Sequence, residues 1–315
     1  MGGYTSENEI SFKSGNTVYD VLDKKKYNCF KIHILKDKWI YVNGLNEIEI
    51  NRKSFSVQLQ NKLIKFDCVF NAIHGAPGEN GEIQEYFKRL NIPLTGSDSF
   101  QSKITYDKIE CLNFLKKYNI NTAKSYVIRK GDSIDIKKII NKIGLPCFVK
   151  ASKSGSSYGV SKVFKEEGFL KAVEIAFKED SNVLVEEYLD GIEISVGVIS
   201  FKNEIICLPI TEIVSDNDFF DYEAKYNGQS QEITPARISD DMTKSAIIES
   251  KKIYSILKLR GFSRSEFIFK SNIPYLLEVN TVPGLTKQSI LPQQLKLAGI
   301  ELEDLFDNAI EEAIN

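Results

Sequence analysis

The sequence feature that most constrains this chain is a pair of acidic strands near its C-terminal end. Residues Phe262–Lys270 alternate in polarity as a strand does, residues 275–279 predict a second strand, and turn residues separate them. In such a hairpin Glu266 and Glu278 fall opposite each other, with Asn280 on the same face. Two carboxylates and an amide oxygen on one face predict an all-oxygen site for Mg²⁺ that binds the phosphates of a nucleotide.

Arg264 strengthens this interpretation of the hairpin. It precedes Glu266 by two residues, so both side chains point to the same side of the strand. Facing carboxylates are costly inside a protein unless a cation neutralises them. An arginine beside them can also stabilise negative charge that develops near the metals. An ordinary exposed hairpin with charged outer positions is the alternative that one Glu pair alone leaves open.

Composition limits the classes of protein to which the chain can belong. Its 315 residues suffice for two or three domains, and a net charge of −2 gives no general attraction to nucleic acid or to an acidic membrane. The five cysteines are odd in number, scattered and without a CxxC pair, which predicts reduced thiols. No apolar run approaches the roughly 20 residues that cross a membrane, and the start lacks the apolar region of a signal peptide. We therefore expect a cytoplasmic protein without nucleic-acid or membrane partners.

The N-terminal part predicts an α/β domain. Gly2-Gly3 is typical of the turn between a parallel strand and a helix, and residues 10–22 keep helical spacing. Strands are predicted at residues 29–35 and 66–73, and this alternation favours a parallel sheet covered by helices. Because no strand precedes the glycine pair, we expect the first strand of this sheet to be missing.

Two glycine-containing loops are candidate ligand sites. The loop that begins at His74 follows a predicted strand, at the edge where open α/β sheets bind ligands, although a structural role for His74 fits as well. Lys150 ends a short apolar strand, and the Ser- and Gly-rich residues 152–159 follow it. Their backbone N–H groups can wrap phosphate oxygens, and the lysine adds a compact positive charge. The loop lacks the GxxxxGK[ST] pattern, so it is not a P-loop.

A third loop predicts a lid. Residues 217–232 belong to a long polar stretch with aromatic side chains and mixed charge. Long loops without regular structure are either functional lids or disordered, and the aromatic content favours a lid. A lid would exclude water from a reactive intermediate.

In this order, the motifs resemble those of the D-alanine–D-alanine ligases, a family of the ATP-grasp superfamily, over essentially the whole chain. The motifs that carry the resemblance are Gly2-Gly3-Tyr-Thr-Ser-Glu7, His74-Gly-Ala-Pro-Gly-Glu-Asn-Gly, Lys150 with Gly155-Ser-Ser-Tyr-Gly, Glu186-Glu-Tyr-Leu with Gly191-Ile-Glu193, Tyr222-Glu-Ala-Lys225-Tyr226, Arg264-Ser-Glu266, and Glu278-Val-Asn280-Thr-Val-Pro-Gly. The resemblance implies an α/β (α+β) ATP-grasp fold of three domains. They are a substrate-binding α/β domain (1–96), a central grasp subdomain (97–205) and a C-terminal grasp subdomain (206–315) that carries the lid loop 217–232.

The resemblance also implies an activity and a role for single residues. Such an enzyme phosphorylates the carboxylate of one D-alanine with ATP, and the amine of a second D-alanine attacks the acyl phosphate to give D-alanyl-D-alanine for peptidoglycan. For the amino-acid substrates, the resemblance implies that Glu7 binds the first ammonium group and is hydrogen-bonded with Ser156 and Tyr226, that His74 lies near the first D-alanine, that Ser289 and Ile290 bind the second carboxylate, and that Arg264 stabilises the oxyanion.

For ATP, the implied phosphate contacts are Lys108, Lys150, Ser156 and Lys225, the adenine contacts are Glu186, Glu187 and Leu189, and the ribose contact is Glu193. The implied ligands of two Mg²⁺, which Mn²⁺ can replace, are Glu266, Glu278 and Asn280. The resemblance further implies a homodimer.

The sequence departs from the family pattern at two of these motifs. Glu266 stands where many members carry Asp, and its longer side chain can still coordinate Mg²⁺. Ala151 replaces the proline that usually follows the phosphate-binding lysine, which loosens that turn.

Two alternatives to dipeptide synthesis remain at the level of sequence. One is another ATP-grasp ligase, of the D-Ala-D-Ser or D-Ala-D-Lac type; in the lactate type a His usually replaces the lid Lys-Tyr, whereas Lys225-Tyr226 is intact here. The other is a non-catalytic ATP-binding module, which predicts losses among the metal and oxyanion residues. None of those residues is lost, so we favour the D-alanine–D-alanine ligase reading.

Overall fold

The structure, a computed structural model, describes residues 1–155, 158–215 and 230–315. The helices are α1 Asn8–Val21, α2 Glu82–Arg89, α3 Ser99–Tyr106, α4 Lys108–Lys116, α5 Ile136–Ile143, α6 Phe169–Ala176, α7 Asp240–Ile256, α8 Ile290–Leu297 and α9 Leu302–Ile314. The strands are β1 Lys31–Ile34, β2 Trp39–Asn43, β3 Asn46–Glu49, β4 Ser56–Leu59, β5 Lys62–Lys65, β6 Ser125–Arg129, β7 Cys147–Ala151, β8 Ser161–Val163, β9 Asn182–Glu187, β10 Ile192–Phe201, β11 Glu204–Cys207, β12 Thr211–Ser215, β13 Ser230–Ile233, β14 Phe262–Lys270 and β15 Ile273–Asn280.

Small antiparallel sheets and two helices make up the first part of the chain. Strands β1, β2 and β3 form one sheet, and β4 and β5 form a separate hairpin. Their apolar side chains meet those of α2 in a core that includes Trp39, Phe55 and Phe87. The rings of Phe55 and Phe87 lie edge to face with their centroids 4.6 Å apart. This core supports the loop after Ile73, which reaches the functional site.

The parallel sheet predicted for residues 1–96 is wrong for the named strands, which are all antiparallel. Residues 66–73 form no regular strand and contribute one isolated parallel bridge, between Val69 and Leu94. The apolar run that suggested a strand is buried at its end, at Ala72 and Ile73. Such a run indicates burial, and burial does not require a partner strand along its whole length.

The first residues of the chain pair with β1 in a parallel sense. The Ile34 N–H donates to the Met1 carbonyl oxygen (2.9 Å), and the Gly3 N–H donates to the Ile34 carbonyl oxygen (2.8 Å). Gly2 and Gly3 have φ values of 106° and 114°, which glycine adopts without the strain that a side chain would impose. The predicted turn from this bridge into α1 is therefore present.

A second sheet has the strand order β6-β9-β7-β8, with every neighbouring pair antiparallel. Helices α5 and α6 cover one face, where Val149, Phe169 and Val183 belong to a buried core. In this sheet Phe148 on β7 lies opposite Glu186 on β9. Lys150 lies opposite Leu184 in the same pairing, and its Nζ reaches Glu186, two residues further along β9.

The third sheet is the largest and carries the acidic hairpin. Its order is β13-β12-β10-β14-β15, with β11 paired to β10 as the sixth strand. Strands β10, β14 and β15 pack against α4 and α7 in a core that includes Leu115, Ile253 and Phe267. Six of the nine residues of β14 are buried, including the run Ser265–Phe267, so the strand is held firmly in register.

A further core joins the two ends of the chain. Val18 and Leu22 at the end of α1 pack with Leu291 of α8 and Phe306 of α9. This contact holds the end of α1 against α8 and α9. Within the residues that the structure describes, no helix combines the length and apolar character needed to span a membrane.

Candidate active site

A cavity of about 450 Å³ lies beside the hairpin β14–β15 of the third sheet. The starts of α1, α4 and α8, the loop after His74 and the hairpin β14–β15 all reach it. Eight of the residues predicted from sequence line this cavity: Glu7, His74, Lys108, Arg264, Glu278, Asn280, Ser289 and Ile290. They come from five separate segments of the chain, so the fold brings together side chains that are distant in the sequence.

The hairpin has the predicted register. Glu266 pairs with Glu278 and Arg264 pairs with Asn280 across β14 and β15, and a bulge follows Glu266. The Asn280 side-chain oxygen accepts a hydrogen bond from the Val282 N–H (2.9 Å), which fixes the turn that leaves β15. Three oxygen-bearing side chains therefore occupy adjacent positions on one edge of the sheet.

Each of the two facing carboxylates forms an ion pair with a positively charged side chain. The Arg264 Nε donates to Glu266 Oε1 (2.5 Å), and the Lys108 Nζ lies 3.0 Å from Glu278 Oε2. Burial lowers the pKa of each cation, but the neighbouring carboxylates outweigh it, so that the pKa values of Arg264 and Lys108 are both raised. Both side chains therefore remain charged, and their positive charges neutralise the two carboxylates within the site.

The position of Lys108 follows from the start of α4. Asp107 caps this helix by accepting hydrogen bonds from the N–H groups of Ile109 and Glu110. The same carboxylate accepts from Ser152 Oγ (2.6 Å), at the end of β7. Lys108 Nζ also donates to the Ser154 carbonyl oxygen (2.6 Å), so one side chain connects the serine-rich loop with the hairpin.

Glu7 lies directly before α1 and is buried. Two glycines allow its carboxylate to approach the backbone: a Cβ added to Gly155 would overlap the Glu7 carboxylate, and one added to Gly75 would lie 3.0 Å from Glu7 Oε2. Gly75 has a φ of 70°, so this position also requires glycine for its conformation. The carboxylate is thus held between two loops that a larger residue would push apart.

His74 is buried beside α1. Its Nε2 lies 3.0 Å from Ser14 Oγ, and its backbone N–H donates to Ser11 Oγ (2.9 Å). Burial, followed by the charge of Arg264, lowers the pKa of His74 to about 4. The imidazole is therefore neutral near pH 7. Its contacts with Ser11 and Ser14 are structural, which agrees with the structural role considered for His74 as an alternative.

Ser289 and Ile290 begin α8 at the far side of the cavity. Ser289 Oγ lies 2.9 Å from Thr286 Oγ1, and Ile290 is buried. Backbone N–H groups at the start of a helix have no intrahelical partner and favour a bound carboxylate. The geometry fits the predicted contact with a substrate carboxylate.

The residues predicted to bind adenine and ribose lie on the second and third sheets, outside the wall of this cavity. Lys150 Nζ lies 2.5 Å from Glu186 Oε2, and both side chains are buried. Glu186 Oε1 has no hydrogen-bond partner among the described residues, so it remains available as an acceptor. Glu187 accepts from the Lys124 N–H (2.8 Å), Leu189 is buried, and Glu193 lies on β10 opposite Ile268.

Four of the predictions fall largely outside the described residues. Ser156, Lys225 and Tyr226 are not described, and of the predicted lid only residues 230–232 are. Glu232, at the end of that stretch, lines the cavity and accepts a hydrogen bond from Gln293 Nε2 (2.9 Å).

The donor set of the hairpin suits a hard divalent cation. Among the described residues no group of three or more His, Cys, Asp or Glu side chains is placed to hold a metal ion. The predicted set has only two such residues, Glu266 and Glu278, and Asn280 adds an amide oxygen. Mg²⁺ often takes one or two carboxylates and completes its shell with water and phosphate, so this set fits it.

Sequence reasoning gave no role to Glu79, which also lines the cavity. Its Oε2 accepts a hydrogen bond from the Gly75 N–H (2.5 Å). Burial, followed by the charge of Glu7, raises the pKa of Glu79 to about 8. An acidic residue inside a glycine-rich turn next to a candidate histidine was the only signal for it in the sequence.

Comparisons with known proteins identify the family. The family model described as D-ala D-ala ligase N-terminus matches residues 1–97, and that described as D-ala D-ala ligase C-terminus matches residues 114–311. The D-alanine--D-alanine ligase of Flavobacterium johnsoniae is 58% identical over 99% of this chain and 97% of its own length. The chain belongs to the D-alanine–D-alanine ligase family.

Solved structures of related ligases have the same fold. The VanG D-Ala:D-Ser ligase from Enterococcus faecalis is 29% identical, with a TM-score of 0.86 over 99% of this chain and 97% of that one. The D-alanyl-alanine synthetase A from Vibrio cholerae is 26% identical, with a TM-score of 0.88 over 99% and 96%. The predicted ATP-grasp class is therefore confirmed, and so is the prediction of an enzyme of the D-alanine–D-alanine ligase family.

Proposed function

We propose that this chain joins two D-alanine molecules to D-alanyl-D-alanine, with ATP converted to ADP and phosphate. The observation that carries the proposal is the cavity lined by Glu7, His74, Arg264, Glu278 and Ser289, because these side chains offer the charged and polar groups that two amino acids and a phosphoryl group need. The identity of 58% to a curated relative named for this activity supports it.

The first step forms an acyl phosphate. We assign the ammonium group of the first D-alanine to the Glu7 carboxylate, and its own carboxylate oxygen attacks the γ-phosphorus of ATP as ADP leaves. Phosphoryl transfer requires mainly positioning and charge neutralisation, which Lys108 and Lys150 supply from two sides. Lys225 and Ser156 are further proposed phosphate contacts.

Adenine and ribose are assigned to the second and third sheets. Glu186 Oε1 is a buried acceptor without a partner among the described residues, which suits the exocyclic amino group of adenine. Glu187 and Leu189 are proposed beside the base, and Glu193 is proposed for the ribose hydroxyls. These proposed contacts are consistent with ATP as the nucleotide, and membership of the family supports ATP as well.

Glu266, Glu278 and Asn280 are the residues proposed to hold two Mg²⁺, with Mn²⁺ able to replace them. When bound, such ions neutralise the phosphate oxygens and the developing charge on the leaving group. Within the chain itself, Arg264 forms a direct ion pair with Glu266, and Lys108 forms one with Glu278.

The second step forms the peptide bond. The amine of the second D-alanine, whose carboxylate we assign to Ser289 and Ile290, attacks the acyl carbon, loses a proton, and phosphate leaves. The tetrahedral intermediate carries an oxyanion, and a fixed positive donor beside it is typically worth about 3 kcal/mol. Arg264 is the proposed donor. Tyr226 and Ser156, hydrogen-bonded with Glu7, are proposed to close the lid 217–232 over the intermediate.

The decisive experiment is phosphate release from ATP and Mg²⁺ with D-alanine, with L-alanine, and with D-alanine plus D-serine or D-lactate, followed by mass spectrometry of the product. D-Serine is included because a structural relative is a D-Ala:D-Ser ligase. We expect release with D-alanine alone and a D-alanyl-D-alanine product. Release only with a mixed pair would overturn the proposal in favour of that other ligase type, and no release would favour a non-catalytic nucleotide-binding protein.

We further propose a cytoplasmic homodimer. All five cysteines are free thiols in the structure, which suits a reducing compartment, and the cytoplasm also holds ATP. The dimer rests on resemblance to the family. A light-scattering mass of 35.7 kDa at micromolar concentration, that of one chain, would count against it.

A further inference from the structure

Glu79 lies in the cavity wall without a role in the reaction as described above. The residue closes the turn after His74 from both ends, because its N–H donates to the Gly75 carbonyl oxygen (2.9 Å) and its Oε2 accepts from the Gly75 N–H (2.5 Å). We find no hydrogen bond to its Oε1 and no ion pair to its carboxylate within the described part of the chain. One carboxylate oxygen thus holds the loop, and the other is free to meet a ligand in the cavity.

The Glu79 carboxylate shares its surroundings with that of Glu7. Both lie against Gly75: Glu79 Oε2 accepts from its N–H, and Glu7 Oε2 would lie 3.0 Å from a Cβ placed on its Cα. The cation nearest to this region, Lys108, is already engaged with Glu278 Oε2 and the Ser154 carbonyl oxygen. A proton on one of two neighbouring carboxylates, or a ligand cation between them, lowers the repulsion between them.

We propose that Glu79 binds the α-ammonium group of the first D-alanine together with Glu7, and that Glu79 gives up a proton to solvent when this substrate enters. The proposal rests on the proposed function. Before binding, the proton on Glu79 removes the repulsion between the two carboxylates. After binding, the ammonium group supplies the positive charge instead, so the summed charge of Glu7, Glu79 and the ammonium group equals that of the two side chains before binding. The raised pKa of Glu79, about 8, fits this exchange.

Other charged and titratable groups face Glu79 from neighbouring elements and influence its loss of a proton. They are Glu7 before α1, Tyr106 at the end of α3, Lys108 at the start of α4 and Glu278 on β15. Burial, followed by Glu79 and Glu7, raises the pKa of Tyr106 far above its ordinary range, so it stays neutral. Lys108 also has a raised pKa and stays charged. Glu79 is a carboxyl group of this set whose pKa is raised to near neutral pH.

The test compares wild type with Glu79→Gln, which keeps an oxygen for the Gly75 N–H but cannot ionise. Glu82→Gln is the matched control, because Glu82 is an exposed glutamate three residues further along the chain. D-Alanine is titrated calorimetrically in the presence of Mg²⁺ and an unreactive ATP analogue, in two buffers of different ionisation enthalpy. The difference between the buffers measures the protons released.

For wild type and Glu82→Gln we expect proton release near pH 7 and a D-alanine affinity that rises with pH up to about 8. For Glu79→Gln we expect no proton release from this site, an affinity without that inflection, and a loss of about tenfold to 100-fold, as for one hydrogen bond to a charged group. The binding of the ATP analogue is expected to be unchanged in Glu79→Gln, which shows that the variant is folded. Equal affinity and equal proton release in Glu79→Gln and wild type would overturn the assignment of Glu79 while leaving the proposed function in place. Wild type that binds no D-alanine would overturn both.

Discussion

Glu266 on β14 lies directly opposite Glu278 on β15, and each carboxylate is paired with a different cation. Arg264 comes from the same strand as Glu266, whereas Lys108 comes from α4, more than 150 residues before Glu278. The acidic pair is therefore neutralised once from within the hairpin and once from another part of the fold. That difference lets the two glutamates be tested separately.

Glu278→Gln should lower the rate of D-alanine-dependent phosphate release about 100-fold or more, because it removes a proposed metal ligand from the site where charge develops during phosphoryl transfer. The measurement is the rate of release over a range of Mg²⁺ concentrations, with Glu204→Gln as the control, since Glu204 is exposed on β11. A Glu278→Gln rate within threefold of wild type at saturating Mg²⁺ would contradict the metal assignment.

Gly155→Ala should raise the KM for D-alanine about tenfold, because the new Cβ overlaps the Glu7 carboxylate. The backbone of Gly155 is outside the left-handed region, so the effect is one of space alone. Gly168→Ala is the matched control, since its nearest neighbour to an added Cβ is Val163 Cγ1 at 4.0 Å. Steady-state kinetics with D-alanine varied provide the readout, and an unchanged KM in Gly155→Ala would show that Glu7 does not bind this substrate.

Lys150→Met should lower the free energy of unfolding by about 3–5 kcal/mol, because it leaves the Glu186 carboxylate buried without its cation. Adding Glu186→Gln should recover most of that stability, although neither variant should bind ATP tightly. Urea unfolding and ATP titration measure the two effects, and Lys171→Met on the exposed face of α6 is the control. If the single and double variants were equally unstable, the pair would not explain the loss.

His74→Gln should make stability less sensitive to acid. Above pH 6.5 the imidazole is neutral in both the folded and the unfolded chain; as the pH falls towards 4, the unfolded chain takes up a proton that the folded chain excludes. Wild type should therefore lose up to about 3 kcal/mol more stability than the variant between pH 6.5 and 4. Urea unfolding at several pH values measures this difference. The same slope in both proteins would indicate that His74 is protonated in the folded state.

The hairpin register could be predicted from sequence because side chains on paired strands alternate with a period of two, which set Glu266 against Glu278. The bulge after Glu266 could not be predicted, since it leaves no separate pattern in the sequence. Local rules sufficed where a local period determined the structure.

Residues 66–73 show where those rules fail. Their apolar character indicated burial correctly at Ala72 and Ile73, but whether a buried segment pairs with neighbours depends on residues far away in the chain. The role of Glu79 was missed for the same reason: its surroundings depend on Glu7, which lies 72 positions earlier. The roles of Glu7, Lys150 and Glu186 remain predictions that the variants above test, and those of Arg264 and Ser289 remain predictions.

The side chain of Lys108 reaches both the Ser154 carbonyl oxygen and Glu278 Oε2. It thereby ties the β7–β8 loop of the second sheet to the hairpin of the third. A motion that separates this loop from the hairpin has to break at least one contact of the same ammonium group. Lys108 therefore offers a physical link between the two sides of the site, and any change in affinity that it transmits from one side to the other is, by thermodynamic reciprocity, equal in both directions.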